Sequence, residues 1–256
     1  MNRYHFCTLT IICMLLGFGC TPTAWAKADC ELKQLVTADE FKMLQEKWKV
    51  ASPLPIAEKD YSQLKSDEIY FYDTKSSLFK KQAILRWCKK KDGDQGSFTV
   101  KDRFGAVVQQ SAECQNDYTS KNKPKKSCQF DNDSPGPLPP QIQFSKDQKL
   151  FLKSNALKWE PSEIVTLGPI YSYKTEVDPS VCEGLGVKKP IEFESWLMKD
   201  SKHSQMLFEI SVKVNGNPEK CGNANIAFRD CIHKLGVNVN SERGTKTEAV
   251  YTFFGN

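Results

Sequence analysis

After residue 28, apolar and polar residues alternate at every second position in most runs, which is the period of a β-strand. Asp29, Glu31 and Lys33 alternate with Cys30 and Leu32. Glu68–Asp73, Ile84–Lys90, Ser97–Arg103, Ile170–Val177, Ile191–Leu197 and Leu207–Val214 read the same way, and Ala249–Phe254 reads as a last extended piece. Gly93–Gly96 between two of these runs predicts a hairpin. Helices are predicted where the period lengthens. Thr37 is an N-cap with Glu40 at the capping-box position, opening a helix at Ala38. Segment 146–158 and Asn225–Leu235 are two more helical stretches. Residues 115–148 are rich in Asn, Pro and Lys and read as a surface excursion. About eight strands with a few helices predict a strand-dominated α+β fold, an antiparallel sheet or barrel with peripheral helices.

The polar faces of these strands carry charge in phase. Thr99, Lys101 and Arg103 share one face; so do Ser172, Lys174 and Glu176, and Glu209, Ser211 and Lys213. An open sheet would turn these faces to water. A closed barrel would instead turn them into a polar lumen, where basic residues could cradle a polyphosphate and carboxylates could hold a divalent metal.

The first 26 residues have the form of a signal peptide. Arg3 and His5 precede an apolar run from Leu9 to Phe18, and Ala24-Trp25-Ala26 forms a cleavage site. The expected product is a periplasmic or secreted domain, residues 27–256. The rival is a lipoprotein cut before Cys20, but Leu16-Gly17-Phe18-Gly19 is a poor match to a lipobox. No later apolar run is long enough to span a bilayer, so no integral membrane association is expected. Seven of the ten cysteines follow the leader: Cys30, Cys88, Cys114, Cys128, Cys182, Cys221 and Cys231. No C-x-x-C occurs among them, which argues against zinc and for disulfides. Short spacing favours Cys114–Cys128 and Cys221–Cys231. A net charge of +5, without a dense basic patch, argues against nucleic acid as partner. The Lys121–Lys126 cluster has no interleaved aromatics and reads as a solvated loop.

The order of these elements resembles the CYTH domain of the triphosphate tunnel metalloenzymes, which include inorganic triphosphatases, thiamine triphosphatases and class IV adenylate cyclases. The residues that carry the resemblance are Asp29-Cys30-Glu31-Leu32-Lys33, Tyr70-Phe71-Tyr72-Asp73-Thr74, Leu85-Arg86-Trp87-Cys88 and Thr99-Val100-Lys101-Asp102-Arg103. Later come Glu209-Ile210-Ser211, then Lys234-Leu235-Gly236 and Lys246. The likeness spans about residues 29–254. It implies a closed or nearly closed antiparallel tunnel and metal-dependent hydrolysis of an inorganic or organic triphosphate. By the same resemblance, Glu31 and Glu209 are the catalytic carboxylates. They bind Mg²⁺ or Mn²⁺ together with Asp29 and Glu113, while Lys33, Arg86, Lys101, Arg103, Lys174 and Lys246 bind phosphate.

Three positions depart from the family pattern: Asp29 replaces a Glu, Cys88 an Arg, and Ser211 a Glu. A lost charged hydrogen bond costs about 1.5–3 kcal/mol. Two alternatives therefore stay open, a catalytically inactive polyphosphate-binding module and an exported structural protein that keeps only the fold.

Overall fold

The computed structural model describes residues 29–74, 78–81, 83–89, 96–102, 113–119, 124–154, 157, 159–240 and 243–255. The leader, the Gly93 turn, Arg103 and Lys121 lie outside the described residues.

The chain runs β1 (Asp29–Val36), α1 (Ala38–Lys47), β2 (Asp67–Thr74), β3 (Ala83–Lys89), β4 (Gly96–Asp102), β5 (Glu113–Tyr118), β6 (Lys125–Ser134) and α2 (Lys146–Ser154). It continues through β7 (Ile164–Val177), β8 (Ile191–Lys199), β9 (Ser204–Asn215), α3 (Pro218–Lys234) and α4 (Lys246–Phe254). The nine strands close into one barrel in the order β1-β5-β6-β4-β3-β2-β7-β8-β9. Every neighbouring pair is antiparallel except β1–β5, which is parallel. Closure leaves no exposed sheet edge.

Most strands turn their larger apolar face outward, where α1, α2 and α3 cover much of it, while β2 and β3 also turn Ile69, Phe71 and Ile84 inward. Thr37 caps α1 and forms the capping box with Glu40. This fixes the helix so that Phe41 packs on Phe193 and Phe208, with ring centroids 5.3 and 4.8 Å apart. α1 and α3 together bury the outer faces of β1, β8 and β9. α2 covers Leu85, Phe98, Val100 and Phe130. The buried Gln148 of α2 donates to the carbonyls of Phe98 and Phe130, both at 2.9 Å, so the helix is tied to two neighbouring strands.

Three expectations change. Most of β5 and all of β6 fall in 115–148 and close the barrel between β1 and β4, so that stretch is partly barrel wall rather than only an excursion. Their polar composition reflects inward faces (Gln115, Asp117, Lys125, Gln129), while Cys128 and Phe130 are buried on the other side. Residues 246–254 form a helix rather than an extended piece, because Thr245 and Glu248 make a second capping box. Among the described residues the barrel has nine strands, close to the expected eight. Finally, Cys114–Cys128 forms as expected, but Cys221 and Cys231 do not pair with each other: the other disulfides are Cys30–Cys221 and Cys182–Cys231. Cys221 and Cys231 both lie on α3, but each pairs away from the helix, to β1 and to the β7–β8 connection. Cys88 is in no disulfide.

Candidate functional site

The inward faces enclose a cavity of about 320 Å³. Among the described residues, six strands supply lumen cations: Lys33 from β1, Arg86 from β3, Lys101 from β4, Lys125 from β6, Lys174 from β7 and Lys213 from β9. A seventh, Lys246, comes from α4. Six carboxylates line the same space: Glu31, Asp67, Asp117, Glu192, Glu194 and Glu209. One end is apolar. There Val250 and Tyr251 of α4 pack against Ile69, Phe71, Ile84 and Trp196, which the strands turn inward.

Two ionic clusters organise the lumen. The first joins β1, β4 and β5. Lys33 Nζ is 2.6 Å from Glu31 and 3.7 Å from Asp117, and Lys101 Nζ is 3.3 Å from Asp117. Gln115 donates to Glu31 at 2.9 Å and to Asp117 at 2.7 Å. Burial disfavours the charge on Glu31, but Lys33, with Lys213 and Lys101 behind it, outweighs burial and holds the carboxyl at about 2. The Asp117 carboxyl is also held low, against burial, by Lys33 and Lys101. Lys33 is buried as well, yet Glu31, Asp117 and Glu209 raise its affinity for the proton.

The second cluster joins β7, β8, β9 and α4. Glu194 Oε1 accepts from Ser172 Oγ at 2.7 Å and from Trp196 Nε1 at 2.8 Å, with Lys174 at 3.5 Å. Its other oxygen binds Lys246, which also reaches Glu209 at 2.9 Å. Lys246 lies 4.5 Å from the centre of the Trp196 ring, a cation–π distance. Lys174 reaches Glu192 at 3.5 Å.

Between the clusters lies Arg86. It lines the lumen, and its Nε is buried without a hydrogen-bond partner. A buried donor left unpaired is costly, so this atom is poised for an acceptor from a ligand. Thr99 and Cys88, paired with β3 and β4 neighbours in register, line the cavity beside it.

The expected site residues Glu31, Lys33, Arg86, Lys101, Lys174, Glu209 and Lys246 are thus brought into one lumen. Asp29 sits at the start of β1, opposite Asn215 and Gln115. Glu113 is exposed and two residues before the lining position Gln115. Arg103 lies outside the described residues. Cys88 and Ser211, the departures from the family pattern, both line the lumen. Asp67, Asp117, Lys125, Glu192 and Glu194 also line the lumen, and none of them is among the expected site residues; Lys213 follows Glu209 and Ser211 on their shared face. A signal was present: Glu192 and Glu194 alternate with the buried Ile191 and Phe193, the same period that exposed the other strands.

No family model matches the sequence, and no curated protein matches it. Solved structures do. A protein from Bacillus halodurans, described as a candidate adenylate cyclase, aligns with a TM-score of 0.54 at 16% identity, over 90% of this chain and 98% of its own. A Hippeastrum protein, described as a candidate adenylyl cyclase with a dominant triphosphatase activity, aligns with a TM-score of 0.51 at 10% identity, over 87% of this chain and 95% of its own. The chain has the CYTH-type triphosphate-tunnel fold.

Proposed function

We propose that the chain is an exported hydrolase that binds a triphosphate in the barrel lumen and cleaves its terminal phosphoryl group with a divalent cation. The observation that carries this reading is the convergence of seven cations from six strands and α4 on one cavity, with the Arg86 Nε left unpartnered there. A chain of phosphates is a ligand that such a distribution suits, because each phosphoryl unit can meet a different wall. The triphosphatase activity described for the Hippeastrum protein, which shares the fold, points the same way. Three disulfides fit an oxidising compartment. Among the described residues no helix is long and apolar enough to cross a membrane.

Among the described residues, no group of three or more His, Cys, Asp or Glu forms a ready cation site. The donor chemistry nevertheless fits Mg²⁺ or Mn²⁺, which prefer carboxylate oxygens. Glu209 and Glu194 are adjacent across β8 and β9, and Lys246 already supplies a cation to both. Glu209 and Glu194 would hold the metal, with phosphate and water oxygens completing its shell, and when bound it would neutralise phosphate charge and polarise the scissile group. The chain's own groups do the rest. Lys33, Arg86 and Lys101 neutralise and align the phosphoryl oxygens. A carboxylate, Glu209 by position, orients the attacking water and takes its proton. The water oxygen bonds to the terminal phosphorus, the bridging P–O bond breaks, and diphosphate leaves when the substrate is inorganic triphosphate.

A second reading, a polyphosphate-binding module without turnover, is favoured by Cys88 and Ser211 in the lumen, where the family pattern has an Arg and a Glu. Calorimetric titration with tripolyphosphate in chelator tests the binding common to both readings. Saturable binding that weakens in Arg86→Ala is expected. No heat of binding from folded protein would overturn both.

A further inference from the structure

We propose that Lys246 is an exchangeable counter-ion. In the resting lumen it occupies the Glu194–Glu209 carboxylate pair, and it passes to the anion when one enters, so that anion and divalent cation favour each other's binding. The inference rests on the reading of the lumen as a triphosphate site.

Four observations carry it. Glu194 and Glu209 are directly paired in register, and Lys246 Nζ lies between them, bonded to the first and 2.9 Å from the second. Two buried carboxylates this close need a cation between them. The chain supplies its own, in the place a divalent ion would take.

The carrier of that cation also differs from the others. Lys33, Arg86, Lys101, Lys125, Lys174 and Lys213 are fixed to barrel strands, whereas Lys246 stands on a helix. α4 is anchored further along, by Val250 in the apolar end and by Tyr251, whose ring stacks on Phe79 and whose hydroxyl donates to the Tyr72 carbonyl at 3.2 Å. The Lys246 side chain can therefore leave the pair while the Thr245 cap and the rest of α4 keep their places.

Third, Lys246 is at the first helical position, directly after the Thr245 cap. A cation there opposes the helix dipole, which favours anions at that end. Gly244, Thr245 and Thr247 line the cavity beside it. The helix start and its lysine thus present positive charge to the same space, and the carboxylates satisfy it until a stronger anion arrives.

Fourth, Glu194 keeps other partners when Lys246 leaves, since Ser172, Trp196 and Lys174 remain in place. The pair can thus pass from the lysine to a metal without Glu194 losing its orientation. Linkage requires that an anion which draws Lys246 away raises cation affinity by the same factor as the cation raises anion affinity.

The test is Mn²⁺ binding to residues 27–256 without any anion, followed by the EPR signal of free Mn²⁺. Wild type is expected to bind weakly, Lys246→Met about tenfold or more tightly, and Lys246→Arg as weakly as wild type. Adding Glu209→Gln to Lys246→Met should cancel the gain. No gain in Lys246→Met, or an equal gain in Lys213→Met, would overturn the proposal, the latter by showing a general charge effect. Lys246→Gln, with a polar tip, is run alongside in case Lys246→Met does not fold. Wild type gives a further reading: saturation with tripolyphosphate in chelator should change tryptophan emission, and Trp196→Phe should abolish the change. Unchanged emission at calorimetric saturation would also contradict exchange. Turnover is not read in these arms, so an inactive protein that passes them rejects hydrolysis alone, and an active one that fails them rejects exchange alone.

Discussion

Glu194 and Glu209 face each other across β8 and β9, and their surroundings drive their carboxyls in opposite directions. Both are buried, which disfavours charge on each. At Glu194 the charges of Lys246 and Lys174, with hydrogen bonds from Lys246 and Ser172, overcome burial and keep the group ionised. At Glu209 burial and the neighbouring Glu194 charge prevail over Lys246 and Lys33, and the carboxyl is raised. With no cation other than the lysines nearby, Glu194 is therefore the more firmly ionised member of the pair and Glu209 the more readily protonated one.

Arg86→Ala should weaken tripolyphosphate binding by about 1.5–3 kcal/mol, roughly a tenfold to hundredfold rise in Kd, because a charged donor aimed at phosphate is lost. Arg86→Lys should recover only part of this, since an ammonium lacks the planar fork. Calorimetry reads both. An unchanged Kd in Arg86→Ala would remove Arg86 from the ligand site.

Acid should destabilise the fold in a definite window. The folded Glu31 carboxyl is held at about 2 against an ordinary value of 4.5. A depressed carboxylate contributes stability that is present above about pH 4.5 and is lost as pH falls toward 2. Glu40, bonded to Arg243 and to the Asn238 and Thr37 amides, is also held at about 2 against burial and adds to the same window. Thermal melts of wild type should fall steeply between pH 5 and 2. Glu31→Gln should flatten part of that slope, by about 2–3 kcal/mol at most. Parallel curves for the two proteins would show that the Glu31–Lys33 pair carries no folding free energy.

Reduction should also weaken the fold. Cys182–Cys231 and Cys30–Cys221 fasten α3 to the β7–β8 connection and to β1, with sequence separations of 49 and 191. Removing such a cross-link typically costs about 2–5 kcal/mol. Cys182→Ser/Cys231→Ser should lower the Tm clearly, while Cys88→Ser, outside any disulfide, should leave it nearly unchanged. The reverse order would contradict the pairing.

Phe41→Ala should cost about 3–5 kcal/mol in denaturant unfolding, because its ring is fully buried against Phe193 and Phe208. A loss below about 1 kcal/mol would mean that α1 does not seal this side of the barrel.

The barrel was legible wherever one strand face was apolar. β1 and β7–β9 betray themselves by alternation, and α1 by Thr37 and Glu40. β6 escaped because its inward face (Lys125, Ser127, Gln129, Asp131) is polar, and prolines flank it, so it resembles a loop. α4 escaped because Tyr251, Phe253 and Phe254 suit a strand, although Thr245 and Glu248 carry the helix-start signature. At the site, the cations on strong strands were legible. Glu194 was not singled out, because its importance comes from the Ser172, Trp196, Lys174 and Lys246 side chains that meet it from other elements. The Cys182–Cys231 bond likewise depends on where α3 docks, which spacing along the chain does not encode.

Metal-assisted cleavage in this lumen is tested most directly by phosphate release. Oxidatively folded residues 27–256 are incubated with tripolyphosphate in Mg²⁺, in Mn²⁺ and in chelator, beside Glu209→Gln. Metal-dependent release is expected, falling about a hundredfold or more in the variant, the usual scale for loss of a group acting on the proton. No release from folded protein, or release indifferent to chelator and to Glu209→Gln, would contradict it.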